Sequence, residues 1–217
     1  MDSSRSRDLY SYCFIRSIKT INLKKLILLL FIPLVSYGQI NEQDLNLPFS
    51  DISEYPTEFS QANIVSRMIE GLGYRYYWAS KSLSQTDLEY RSSEDARSTL
   101  EIIKHIYSLT KMISSSFENQ AYNFSEVNYS YKELREKTLL NLKYIHEQLK
   151  LNPDFSKLNI RFERGGNMME FPFWNQINGP ISDALWHCGQ VVMNRRASGN
   201  PLQSGVNVFI GKTSGSN

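Results

Sequence analysis

Between Ala62 and Leu83 apolar side chains recur at Ala62, Val65, Ile69, Leu72, Tyr76, Ala79 and Leu83, alternately three and four residues apart. That spacing follows one face of an α-helix and makes a seam that has to be buried against other helices. Gly71 and Gly73 interrupt it at roughly 1 kcal/mol each relative to Ala, unless they let a neighbouring helix come close. A second helix is expected from a cap at Ser92 or Ser93 to about Ser116, with Glu94 and Asp95 favourable at its N-terminal dipole. Its apolar side is Ile102, Ile103, Ile106, Leu109, Met112 and Ile113. The third carries Tyr131, Leu134, Thr138, Leu142, Ile145 and Leu149, starts at a Ser130/Glu133 capping box and stops at Asn152-Pro153. The stretch from Ile177 to Pro201 reads as one continuous fourth helix, closed by Gly199 and Pro201. The fold class expected is all-α, a four-helix bundle.

The segment before the last helix is ambiguous. Leu158, Ile160 and Phe162 alternate with polar residues, and Gly165-Gly166 could turn a hairpin; a long loop fits equally well. Phe171-Pro172-Phe173-Trp174 reads as an aromatic plug over one end of the bundle, and Val206–Ile210 as a short extended run in the tail.

The N-terminus has the pattern of a targeting segment. Lys24-Lys25 precede ten apolar residues, Leu26 to Val35, and then Ser36-Tyr37-Gly38. A basic region, a short apolar run and small residues before a cut after Gly38 describe a signal peptide. An uncleaved anchor is the alternative, but ten residues interrupted by a Pro are short of the about twenty that span a bilayer. The organisation expected is a signal peptide over 1–38, a polar leader over 39–56, the bundle over 57–200 and a tail over 201–217. The protein is then exported, to a periplasmic or extracellular location. The formal charge of the whole chain is +2; without residues 1–38 it has 18 basic and 20 acidic residues, a net of −2. Neither value suggests nucleic-acid binding. Cys13 departs with the signal peptide, so Cys188 is the sole cysteine of the mature chain and no intramolecular disulfide can form.

The chemistry concentrates in the last helix. Ile181, Leu185, Cys188 and Val192 form its apolar face, while Asp183, His187, Gln190 and Asn194 line a stripe at steps of four, three and four. A solvated face would explain such a stripe. Against that, Asp183 is the only charged residue between Pro180 and Asn194, and Trp186 and Met193 border the stripe with apolar surface, as on a helix buried on more than one side. Buried polar side chains need partners, and a metal ion is one. His105, within the apolar side of the second helix, completes a candidate set of two imidazoles and one carboxylate with His187 and Asp183. Such a set suits zinc, nickel, iron or manganese and leaves positions open for water or substrate. Glu101, one turn before His105, is the candidate general base or supporting carboxylate. Arg75 and Tyr77 are candidates for substrate contact. Cys188 reads as a small packing residue and His146 as a boundary histidine rather than a ligand.

Two of these segments resemble a known family. Thr99-Leu100-Glu101-Ile102-Ile103-Lys104-His105-Ile106-Tyr107 is similar to the helix-two segment holding the first histidine ligand of the DinB/YfiT-like superfamily, the damage-inducible metal-dependent bundles. Asp183-Ala184-Leu185-Trp186-His187-Cys188-Gly189-Gln190 is similar to its last-helix ligand pair followed by Gly-Gln. The resemblance covers roughly residues 57–200. It implies an up-down-down-up topology with a long connection between helices two and three, and a divalent metal in a cleft at one end. Relatives include thiol-dependent transferases and hydrolases, mostly cytoplasmic. The chain departs from the family in having Asp183-x3-His187 where His-x3-His is usual. Export would also separate it from a cytosolic thiol co-substrate. The functional expectation is therefore a divalent-metal-binding protein acting as a hydrolase outside the cytoplasm, with a non-catalytic metal- or ligand-binding or structural bundle as the alternative. Its expected partners are a small-molecule substrate or ligand and, as a candidate homodimer, a second copy of the chain. Neither nucleic acid nor a membrane span in the mature chain is expected.

Overall fold

A computed structural model describes residues 47–215; the signal-peptide reading of 1–38 and the start of the leader lie outside the described residues. Helix α1 spans Gln61–Ala79 and is capped by Ser60, whose side chain accepts from the Asn63 amide. All seven residues of the first seam, Ala62 through Leu83, are buried. A short helix, α2 (Gln85–Glu89), interrupts what reads in sequence as a plain connection; Ser84 and Asp87 form its capping box. Helix α3 spans Thr99–Phe117 and α4 spans Tyr131–Lys150. The Ser130/Glu133 box is formed as expected. The start of α3 is six residues or so later than Ser92 or Ser93. Ser98-Thr99-Leu100-Glu101 closes a reciprocal box with both hydrogen bonds present, which satisfies two N-terminal amides that Ser92 or Ser93 leave unserved.

The last helix is not one continuous rod. A helical turn at Trp174–Gln176 leads into a wider turn at Ile177–Ile181, and only then does α5 run, Ser182–Ala197. Gly179 leaves helical geometry (φ −87°, ψ −107°) just before Pro180. A proline within a helix lacks an N–H to donate and its ring crowds the carbonyl one turn back, so the helix breaks there.

The described residues are mostly helical, with two small antiparallel sheets. The first resolves the ambiguity before the last helix as a hairpin: β1 (Ile160–Arg164) pairs with β2 (Asn167–Phe171), Ile160 opposite Phe171 and Arg164 opposite Asn167. Gly165 and Gly166 both take positive φ, as a two-residue turn of this hand requires. The second pairs β3 (Val206–Asn207) with β4 (Lys212–Thr213), so the expected extended run to Ile210 is cut short by a turn after Asn207. The aromatic plug is half right: Phe173 is buried edge-on against Phe155, at 4.7 Å between ring centres, whereas Trp174 is exposed.

Each long helix packs chiefly against two others: α4 lies between α1 and α3, and α5 lies between α3 and α1. Cross-links fix their directions. The Tyr131 hydroxyl donates to Ser80 O, and Ser66 Oγ meets His146 Nδ1 at 2.8 Å, so α1 and α4 run opposite ways. Tyr107 meets Tyr129, and Asn141 Nδ2 donates to Thr110 Oγ1 at 3.2 Å, so α3 and α4 run the same way. Asn194 bonds Thr99 while Gln176 bonds Ser116, which makes α5 antiparallel to α3. Arg195 donates to Trp78 O and Ala79 O, bringing the C-terminal ends of α5 and α1 together.

Packing extends beyond 57–200. Phe49 lies over Gly73, where a Cβ would sit 2.5 Å from the ring; the close neighbour this glycine admits is an aromatic ring from the leader rather than another helix. Trp78 Nε1 donates to Ser50 O, buried Ile52 donates its amide to Gly211 O, and Tyr74 Oη donates to Lys212 O. The segment from Leu47 to Ile52 and the C-terminal hairpin therefore share the core.

Asp87 fastens α2 to the end of α5. Its side chain is buried, and its oxygens accept from Ser84, from Ser198 Oγ and from Asn200 Nδ2 (2.7 Å). Burial pushes its pKa up, but these hydrogen bonds outweigh burial and hold it down at about 2. A carboxylate held below its unfolded value stabilises the fold above about pH 4, and that stabilisation is lost as pH falls through the folded pKa. Asp87→Ala is expected to cost about 2 kcal/mol at pH 7, measured by urea denaturation, with the difference from wild type shrinking between about pH 4 and pH 2.

Candidate metal centre

The α3–α5 contact brings His105, Asp183 and His187 together. One donor atom from each lies within 4.8 Å of the others. His105 Nε2 is 3.1 Å from Asp183 Oδ2, and His187 Nε2 is 3.4 Å from Asp183 Oδ1. The two imidazoles meet edge to face, ring centres 4.7 Å apart. His187 is buried; His105 and Asp183 are half-buried, so the cluster opens to solvent on one side. The break at Gly179-Pro180 puts Asp183 in the first turn of α5, and His187 follows one turn later on the same side.

The hydrogen bonds suit metal binding. His187 Nδ1 lies 2.6 Å from Gln190 Oε1. An amide oxygen can only accept, so Nδ1–H donates to it and Nε2 is the nitrogen turned towards Asp183. Ligating histidines are oriented by such a bond on the other ring nitrogen. Burial pushes the pKa of His105 below the ordinary histidine value, and this outweighs the opposing hydrogen bond to Asp183. A neutral imidazole is the ligand form. Two imidazoles and one carboxylate, with His187 Nδ1 bonded to Gln190 and one side open, fit a divalent ion.

The stripe of α5 therefore divides by role. Asp183 and His187 offer donor atoms, Gln190 orients His187, and buried Asn194 ties α5 to Thr99 at 3.1 Å. The apolar face is displaced from expectation: Ile181, Ala184, Cys188 and Val191 are the buried members, while Leu185 and Val192 are half-buried. Trp186 and Met193 do not mark a second buried side. They are 72% and 63% exposed and form part of the wall of an open cleft of about 570 Å³ beside His187.

Glu101 serves the N-terminus of α3. Its Oε2 accepts from the Ser98 amide at 2.7 Å and lies 2.9 Å from Arg91, and it stands outside the donor cluster. The Ser98 amide and the Arg91 guanidinium hold its carboxyl below the usual carboxylate range. A carboxylate engaged in a helix cap and an ion pair is a weaker proton acceptor than a free one. Arg75 and Tyr77 are likewise outside the cleft: Arg75 donates to Gly71 O, and buried Tyr77 lies beneath the Arg135 guanidinium at 4.8 Å. His146 is half-buried against Ser66 and Phe49, far from a ligand role. Cys188 is buried, and burial pushes its thiol up to about 12, which fits a packing residue.

Sequence spacing finds the three donors and not their support. Arg97, which lines the cleft, sits in the turn before α3 with no periodic signature. Gln190 is visible on the stripe, but its bond to His187 depends on side-chain geometry.

Two measurements follow. Gln190→Leu is expected to weaken zinc or manganese binding by about 10- to 100-fold in isothermal titration, while Glu101→Ala lowers the melting temperature and leaves metal affinity unchanged. The second concerns the metal-free protein. The pKa values of His105 and His146 are both held below the unfolded value by burial. The unfolded chain then takes up protons first, so their contribution to stability is complete above about pH 6.5 and is lost as pH falls below it. Urea denaturation at pH 7.5 and pH 5.5 should show this loss, and the double variant His105→Gln/His146→Gln should flatten it.

Comparisons with protein-family models, with curated proteins and with solved structures return no match to this chain.

Proposed function

We propose that this protein is a divalent-metal-binding helical bundle of the DinB-like kind, acting as a metal-dependent hydrolase outside the cytoplasm. The observation that carries the reading is the convergence of His105, Asp183 and His187 within 4.8 Å from two different helices. The helix directions are consistent with it: α1 and α5 run one way, α3 and α4 the other, in an up-down-down-up order. So is the place of His187, which lines the cleft. A divalent ion held by such a set supplies Lewis acidity towards water or a substrate oxygen.

The residues of the chain itself have separable tasks. Asp183 faces both imidazoles and neutralises part of the charge placed between them. Gln190 keeps the proton of His187 on Nδ1. The Asn194–Thr99 and Gln176–Ser116 bonds hold the register of α5 against α3 on either side of the site, so that the donors remain together. The cleft gives a substrate access from the side of Trp186, Gly189 and Met193.

Protein purified without chelator and loaded with zinc, nickel, iron or manganese is expected to bind about one equivalent and to melt at a higher temperature. At least one ester, amide or phosphoester in a mixed panel is expected to be hydrolysed, and His187→Ala to abolish both binding and turnover. Metal binding with equal background rates in wild type and His187→Ala would leave the non-catalytic binding bundle as the function. No uptake of any of the four ions, with no shift in melting temperature, would remove the metal reading altogether.

A further inference from the structure

The cleft beside the donor cluster has a composition of its own. Its apolar wall is Trp186 and Met193, with Gly189 between them along α5 and Ile102 from α3. Nothing lies within 4 Å of where a Cβ on Gly189 would be, so the floor between the two large side chains is open. A tryptophan 72% exposed and a methionine 63% exposed on one face of one helix form a flat, polarisable surface suited to an aromatic or alkyl group. Within this wall the one permanently charged side chain is Arg97. It is exposed, and it shares the lining of the cleft with His187. The acidic residues of the same turn are otherwise placed: Asp95 accepts from Ser93 within the turn, and neither Asp95 nor Glu94 lines the cleft. A volume of about 570 Å³ suits a small organic molecule.

We infer that the cleft takes an amphiphilic organic anion, an aromatic or alkyl body bearing a carboxylate or phosphate, with the anionic group on Arg97 and the body on Trp186 and Met193. This rests on the preceding reading of the site and names the substrate class for it. Arg97 presents a planar set of donors that matches either oxyanion, and its pairing with an anion is charge-assisted. The donor cluster at His187 then adjoins the bound molecule rather than supplying its anchor.

The test uses metal-free protein, so that the acid cannot bind through an ion. Isothermal titration compares 4-phenylbutyrate, phenyl phosphate, the neutral 4-phenylbutanol and the ringless butyrate. Both aromatic acids are expected to bind, and to bind more tightly than either 4-phenylbutanol or butyrate. Arg97→Ala should weaken the aromatic acids by about tenfold or more and leave 4-phenylbutanol unchanged; Trp186→Ala should weaken all three ring-bearing probes. Both variants alter exposed side chains, and both should keep the wild-type zinc stoichiometry and melting temperature. Equal affinity for 4-phenylbutyrate in wild type and Arg97→Ala overturns the inference, as does equal affinity of wild type for acid and alcohol, or no binding of any probe. Arg97-dependent acid binding in a protein that takes up no metal would uphold the anion cleft and overturn the metal centre alone.

Discussion

The contact between α3 and α5 is the constraint on which the rest depends. It is antiparallel, and it is pinned by polar bonds towards both ends rather than by apolar packing alone. Asn194 reaches Thr99 near the start of α3, and Gln176 reaches Ser116 near its end. Apolar faces tolerate sliding and rotation because dispersion and burial have little directionality. Buried amide-to-hydroxyl bonds do not, because a shift of one residue leaves donors unpaired away from water. With the register held on both sides, His105 has one neighbourhood on α5, and that neighbourhood is Asp183 and His187. The break at Gly179-Pro180 contributes to the same end, since it lets Gln176 stay on α3 while α5 sets off in the direction its own face requires.

Much of this is legible in the sequence, for an identifiable reason. Helical seams are periodic, so the buried faces of α1, α3 and α4 can be read from spacing, and the His105, Asp183 and His187 set follows once two helices are assumed to face each other. The errors fall where the signal is local or three-dimensional. Ser98-Thr99-Leu100-Glu101 is a complete capping box in sequence, yet Ser92 and Ser93 compete with it and are followed by acidic residues that also favour a helix start. That one misplacement leads directly to Glu101: a residue taken to lie one turn inside a helix looks free to act on a neighbouring ligand, whereas a residue at the third position of a capped helix is already used. Trp186 and Met193 mislead in the opposite sense. Large apolar side chains beside a polar stripe suggest a second packed layer, and no periodicity distinguishes that from the wall of an open cleft. The involvement of Phe49 and Ile52 in the core depends on chain ends meeting across the whole fold, which no window of sequence records.

The aspartate in the donor set has consequences of its own. Three imidazoles are neutral, so a divalent ion among them keeps its full charge; two imidazoles and one carboxylate reduce the sum by one. A lower net charge weakens the pull on a bound oxygen, and the harder oxygen donor moves preference towards ions that accept carboxylates, such as manganese and iron, without excluding zinc. The same charge arithmetic bears on the cleft. In the proposed centre, a reduced positive charge attracts an anionic molecule less strongly by itself, and Arg97 stands in the wall of the cleft that His187 also lines, where it can restore that attraction. On the proposed reading, recognition of charge and the handling of the reacting bond fall to different side chains on different elements. An anchor held apart from the donors would then leave the open side of the cluster free for the atoms that react, which an anion bound directly between His105 and His187 would not.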